Sequence, residues 1–356
     1  MGFFENLEAA PGKSGSRLDK FLFSELGSFI DYAKNLTERE KHNAESRISA
    51  IRERFDSVSN LFRTKNFRGV NDFFFARENL PLGGKEYWFL YFVSIHDDRQ
   101  LILTFGRSES GASVNGKRVP KGKVAAVGWF FSEGKKEVFL DGSASLGHKR
   151  GILKSDKFSF SGKYPDYVFR SGKTRLKLSR LNLGAHPSFE VVREFLGGAG
   201  LGFVNLFLDA GGEMDGKKFD GICYAQKVVA AVPFLPWNWA RIVFKDKSGF
   251  DIFSSRIGIG KEGYEFWSMA RTWDSKGKSK KIENSRIEKM NDGRWLAKGK
   301  GFRAVLKPYA FQPFVLSQIG EFHYDEYMAK CEEAVLNGKT RRNGIGILED
   351  AYGIMI

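Results

Sequence analysis

The chain has 356 residues, 42% of them hydrophobic and 28% charged, a balance that excludes wholesale disorder and a length that favours two domains over one core. Its net charge of +15 favours an anionic partner such as nucleic acid or an acidic surface. Two cysteines, Cys223 and Cys331, exclude a disulfide framework or a cysteine-based metal set in a chain this long.

The opening Met1-Gly2-Phe3-Phe4-Glu5 has no basic region followed by an apolar stretch, so a cytoplasmic location is expected. Residues 16–63 read as helix, within an N-terminal helical segment taken as 1–66. Leu18, Phe21, Leu22, Phe29, Ile30 and Ala33 fall on one helical face, and Thr37 with Glu40 forms a capping box for a second helix. That helix sets Ala44, Ile48, Ile51, Phe55, Val58 and Leu61 in an apolar stripe, suited to packing on the rest of the chain or on another subunit in a homo-oligomer.

From Phe67 the texture changes to short aromatic strands and tight turns. Tyr87–Ile95 and Gln100–Phe105 read as a hairpin around Asp97-Asp98, and Asn115-Gly116 between Val114 and Lys117 is a strong two-residue hairpin signal. Further turns are expected at Glu133-Gly134, Asp141-Gly142, Asp215-Gly216, Asp292-Gly293 and Asn337-Gly338. Gly197–Gly202 reads as a flexible join between halves, dividing a first β domain (67–198) from a second (199–356). The apolar run Val228–Ala240 is too short to cross a bilayer and contains Pro233 and Pro236. One more helical stretch is expected near Asp325–Asn337, with Tyr327, Cys331 and Val335 on one face. This punctuation, with 34 Phe and 40 Gly, predicts a mainly β chain of sandwiches or barrels.

An internal echo supports duplication. Glu86-Tyr87-Trp88-Phe89 opens one aromatic hairpin, and about 150 residues later Pro236-Trp237-Asn238-Trp239 opens another. A closing strand follows at Gly344-Ile345-Gly346-Ile347-Leu348-Glu349. On these three motifs the chain resembles the two-domain lipocalin-like proteins typified by AttH and the carotenoid 1,2-hydratases (hydroxyneurosporene synthase-like proteins), over roughly residues 67–356. The resemblance implies two antiparallel lipocalin-like barrels or sandwiches in tandem that bind a lipid or isoprenoid. It also implies, as a further option, a hydratase- or cyclase-type enzyme that protonates a double bond. In the hydratases a His/Asp-rich strand precedes the Trp-x-Trp strand. Here that segment, 221–227, has no His and no carboxylate after Asp220, which favours a binding or carrier role.

Candidate residues follow from side-chain alternation. Trp237 and Trp239 share one strand face, Tyr224 and Gln226 another, and together with Trp88 and Tyr352 they are the expected ligand-binding residues. Glu349 and Glu86 are carboxylates set in apolar strands, where burial raises a carboxyl pKa toward that of a general acid; an ion pair with an arginine or lysine is the competing role. The five histidines show no metal-ligand spacing, and no metal or cofactor is expected. Lys276, Lys278, Lys280 and Lys281 beside Trp273 form the densest basic patch, the basis for a nucleic-acid-binding alternative.

Overall fold

A computed structural model describes residues 70–76, 80, 84–147, 151–181, 189–196, 199–230, 236–257, 264–318, 320–336 and 338–355. The helices expected over 16–63 lie outside this set. Within it, a short helix, α1 (Val70–Phe74), precedes strands that pair antiparallel throughout. None of the described helices is long and apolar enough to cross a membrane.

The chain first lays down β1 (Lys85–Ser94), β2 (Gln100–Ser108), β3 (Ala112–Val114), β4 (Lys117–Val119), β5 (Val124–Ser132) and β6 (Lys135–Gly147). It continues through β7 (Ile152–Lys154), β8 (Ser159–Lys163), β9 (Asp166–Ser171), β10 (Thr174–Arg180), β11 (Phe189–Leu196), β12 (Ala199–Met214) and β13 (Lys217–Ala230). All of these except the β3–β4 hairpin form one sheet, in the order β10-β9-β8-β7-β6-β5-β2-β1-β13-β12-β11. Pairing of β10 with β12, from Arg175↔Glu213 to Arg180↔Leu208, closes it into a barrel.

The second sheet holds β14 (Trp237–Val243), β15 (Gly249–Ile257), β16 (Tyr264–Trp273), β17 (Ser279–Ile282), β18 (Arg286–Lys289), β19 (Trp295–Gly299), β20 (Phe302–Gln318), β21 (Gly320–Leu336), β22 (Lys339–Arg341) and β23 (Gly344–Met355). Its order is β17-β16-β15-β14-β23-β21-β20-β19-β18, with β22 on β21. The β3–β4 hairpin leaves the barrel to pair with β20 at Leu316↔Val114, tying the two sheets together. The echo in the sequence is topological as well. In each sheet the aromatic opening strand lies between the next strand and the sheet's last long strand: β1 between β2 and β13, β14 between β15 and β23.

Turn chemistry sets several of these registers. Asn115-Gly116, Glu133-Gly134 and Asp215-Gly216 all have two successive positive φ angles, as a two-residue hairpin turn requires. Three expectations change. Asp141-Gly142 is not a turn: both residues lie within β6, where the register against β5 slips between Val124 and Ala126. Asp325–Leu336 is strand, not helix, because β21 pairs with β20 on one side and with β23 and then β22 on the other. Gly200 and Gly202 lie in the β11–β12 hairpin and do not join two halves. The β12 and β13 strands complete the barrel, so the sheets divide the chain between Ala230 and Trp237.

The alternating faces of these strands build three apolar layers. Trp88, Leu90 and Phe92 point into the barrel, where they meet Phe105, Phe160, Phe169 and Phe219, all buried. Phe92 lies 4.6 Å from Phe169 and Phe139 4.3 Å from Phe158, centroid to centroid, so rings of the protein itself fill this interior. Each such ring contributes roughly 1.5–3 kcal/mol through burial. A second core lies inside the curl of the second sheet, around Ile242, Phe250, Leu306 and Leu348. The third lies between the sheets.

Candidate functional site

The layer between the sheets is assembled by period-2 alternation. Tyr87, Phe89, Tyr91 and Val93 occupy the face of β1 turned away from the barrel core, and Tyr224 and Gln226 the same face of β13. From the second sheet come Trp237, Trp239 and Arg241 of β14, Ile347, Glu349 and Ala351 of β23, and Tyr324, Glu326 and Met328 of β21. Strand register places Trp239 opposite Glu349, and Glu349 opposite Glu326. Two carboxylates are therefore direct cross-strand neighbours inside an aromatic layer.

Both are buried: Glu349 is 4% exposed and Glu326 2%. Glu349 accepts hydrogen bonds from Trp237 Nε1 (3.0 Å) and from the Tyr324 hydroxyl. Glu326 accepts one from Trp129 Nε1 at 2.6 Å, a bond that crosses from the second sheet to the barrel strand β5. Desolvation pushes the Glu349 carboxyl up to about 7, although the Tyr324 and Trp237 bonds oppose it. Burial, with the Glu349 charge beside it, holds Glu326 well above the ordinary carboxylate range. The Tyr324 hydroxyl is also held far above its usual range by burial and the adjacent Glu349. The arrangement is thus an acid pair that retains at least one proton near neutral pH, and Tyr324 stays a neutral donor.

Along one edge of this layer the side chains reach the surface. Tyr87, Thr104, Val127, Gln226, Trp237, Phe253 and Tyr324 are all half-buried, while the next positions inward, Tyr91, Tyr224 and Trp129, are buried. Glu349, paired with Trp239, lies two positions in from the Trp237–Ala351 pair, of which Trp237 reaches that rim.

Among the expected binding residues, Tyr224, Gln226, Trp237 and Trp239 converge here with Glu349. Tyr224 Oη and Gln226 Nε2 both donate to Asn205 Oδ1, at 2.9 and 2.8 Å. Trp239 stands edge-on to Phe89, with centroids 5.8 Å apart, and its Nε1 donates to Asp251 at 2.6 Å. Trp88 and Glu86 lie on the opposite face of β1, inside the barrel. There Trp88 Nε1 donates to Phe74 O at 2.5 Å, and Glu86 forms ion pairs with Arg107 (2.5 Å) and Lys227 (2.9 Å). Tyr352 occupies the other face of β23, stacked on His323 with centroids 4.8 Å apart. Glu326, Tyr324 and Trp129 escaped the sequence reading. Glu326 and Tyr324 fell in or beside the segment taken for helix, and Trp129 lies in a continuous apolar run.

The lysines at 276, 278, 280 and 281 are exposed on the β16–β17 turn and strand β17. Trp273 beside them is buried, its Nε1 donating to Lys247 O at 2.8 Å, so the patch offers charge without a stacking ring. No group of three or more His, Cys, Asp or Glu able to hold a metal occurs among the described residues.

Fold and site together define a tandem antiparallel β protein of lipocalin-like build, a barrel and a second sheet facing each other across an acid-bearing aromatic layer. Among solved structures the chain is similar to a provisionally named AttH from Nitrosomonas europaea, with a TM-score of 0.50 and 14% identity over 81% of this chain and 97% of that one. That likeness is one of fold. Two further similarities have lower TM-scores: 0.39 to kievitone hydratase from Nectria haematococca (11% identity; 76% of this chain, 89% of that one) and 0.41 to CghA with Sch210972 (10% identity; 76% and 88%). No protein-family model matches the chain, and no curated protein matches it.

Proposed function

We propose that this protein binds a hydrophobic small molecule of the lipid or isoprenoid class at the rim of the inter-sheet layer, with Glu349 as the proton-carrying group that meets it. The observation that carries the reading is the acid pair. A packed interface built for stability gains nothing from two desolvated carboxyls in register, because burying such groups costs stability. Acids kept protonated near pH 7 beside aromatic faces suit a site that donates a proton or hydrogen bond to an apolar guest. Half-buried Trp237, Tyr87 and Phe253 supply the apolar contact, and Gln226 a polar handle. Because the protein's own rings fill the barrel interior, the guest lies at this rim instead.

The test is a titration of purified protein with a fluorescent polyene fatty acid, read by energy transfer from tryptophan, alongside organic extraction and mass spectrometry of whatever co-purifies. Saturable transfer that Trp237→Ala weakens at least tenfold supports the reading. Absence of saturable uptake together with an empty extract rejects it. Retained binding in Glu349→Gln with altered pH dependence separates the acid's role from that of the rim.

A further inference from the structure

The cleft between the sheets has a second end, on the far side of Trp239 from the rim. Arg241 sits there, two residues along β14, only 3% exposed. Its guanidinium lies 3.9 Å from the Tyr224 ring centroid and 4.9 Å from that of Phe207, and it forms an ion pair with Asp251. That ion pair uses a terminal nitrogen. The Nε–H of Arg241 is buried and has no acceptor among the described residues. A buried donor on a charged group without an acceptor is costly, which makes the position notable.

A cavity of about 10 Å³ borders this arginine, walled by Tyr91, Leu181, Phe207, Tyr224 and Trp273 among others. That is room for about one oxygen atom. Its wall residues Leu181, Phe207 and Ile222 stand two positions along the chain from Ser179, Asp209 and Asp220. These last three line an open groove of about 860 Å³, together with Arg175, Lys177 and Lys247. Cavity and groove are therefore neighbours along the same strand faces. Lys247 is held by Asp209 at 2.7 Å and Asp220 at 3.6 Å, while Arg175 and Lys177 project exposed from β10. A Cβ at Gly211 would meet nothing within 4 Å, so the groove floor there is bare backbone open to a guest.

We infer that this end of the cleft is a second binding site, for a polar organic carboxylate: one carboxylate oxygen enters the cavity to accept the Arg241 Nε–H, and the rest of the molecule lies in the charged groove. A guanidinium N–H bonds most strongly to an anionic acceptor, and a cavity one oxygen wide admits the edge of a planar carboxylate more readily than a tetrahedral phosphate. Arg175 and Lys177 add to the attraction, and Asp209, Glu213 and Asp220 can accept from hydroxyl or amino groups on the guest. The inference does not depend on the lipid reading, whose site lies across Trp239.

Trp239 and Trp273 flank Arg241, with centroids 5.7 and 5.8 Å from its guanidinium, so tryptophan emission reports on occupancy. The full chain is titrated with acetate, lactate and glutamate at matched ionic strength, with chloride as control. The expected result is saturable change with at least one carboxylate, none with chloride, and affinity at least tenfold weaker in Arg241→Lys, which keeps a charge for Asp251 but lacks the Nε–H. Crystals of the unaltered protein soaked in lactate then show a carboxylate oxygen within hydrogen-bonding distance of Nε. No saturation, an equal response to chloride, unchanged affinity in Arg241→Lys, or only a water at Nε in the soaked crystals would each overturn the proposal.

Discussion

Glu349 makes stability depend on pH in a direction opposite to that of an ordinary paired carboxylate. Unfolded, it ionises near 4.5; folded, near 7. Below about pH 4.5 both states are protonated and its contribution is complete. Between 4.5 and 7 the unfolded chain gives up the proton while the folded one keeps it, so stability falls as pH rises, and above 7 the loss is complete. The gap of about 2.5 between those values, at about 1.36 kcal/mol each, amounts to about 3 kcal/mol. Glu349→Gln is neutral at every pH and does not share this loss. Urea unfolding of both proteins from pH 4.5 to 8, followed by tryptophan emission, isolates the effect as the difference between them. Relative to the unaltered protein, the variant should gain about 3 kcal/mol across that range. The Tyr324 hydroxyl can rotate to match the amide, so the cost at low pH should be small. A difference that stays constant with pH, or that moves against the variant as pH rises, would refute the assignment of a desolvated, proton-holding carboxyl.

Other perturbations test the frame around this site. Glu86→Gln leaves Lys227 and Arg107 buried without their carboxylate, and chemical denaturation should record a loss of about 3–5 kcal/mol. Trp129→Phe removes the bond to Glu326 that spans the sheets and should cost about 1–3 kcal/mol, with far-ultraviolet circular dichroism unchanged. In Gly346→Ala the new Cβ would lie 1.9 Å from Arg241 O, so β14 and β23 must move apart. A loss of about 1–3 kcal/mol or more in thermal or urea unfolding is expected.

That glycine shows what the sequence made legible. The Gly-x-Gly-x-x-Glu pattern reads as a closing strand, and it is one. The physical reason is close packing: Gly344 lies against Ile242 and Phe244, and Gly346 against the backbone of Arg241. The hairpin at Asn115-Gly116 and the likeness of the two aromatic opening strands were legible for the same kind of local reason. Turn geometry and alternation leave their mark within a few residues. The assignment of β12 and β13 to the barrel had no such mark. Closure rests on Arg175–Arg180 meeting Leu208–Glu213, a contact between distant segments that no short pattern encodes.

The partner acid was hidden by an apolar spacing that fits helix and strand alike. Along β21 the residues turned into the second sheet's own core run Tyr327, Ala329, Cys331 and then, after the pairing with β20 skips Glu332, Ala334 and Leu336. Tyr327 and Cys331 share a face in a helix and in a strand alike, but the slip of one residue turns Val335, which completes the helical stripe, to the other face. Read as a helix, the segment puts Glu326 on a solvated flank with no reason to single it out. Read as a strand, it puts Glu326 beside Met328 and Tyr324 on the face against the barrel, directly opposite Glu349. The covering of both faces added to the difficulty. In β1 the inward set Trp88, Leu90, Phe92 and the outward set Tyr87, Phe89, Tyr91 are equally apolar, because one meets the barrel core and the other the second sheet. Composition along such a strand cannot tell which side carries the acid chemistry. Only the register between sheets does, which is why Glu86 and Glu349, alike in sequence context, stand in such different surroundings: one neutralised by two cations, the other kept protonated beside a second acid.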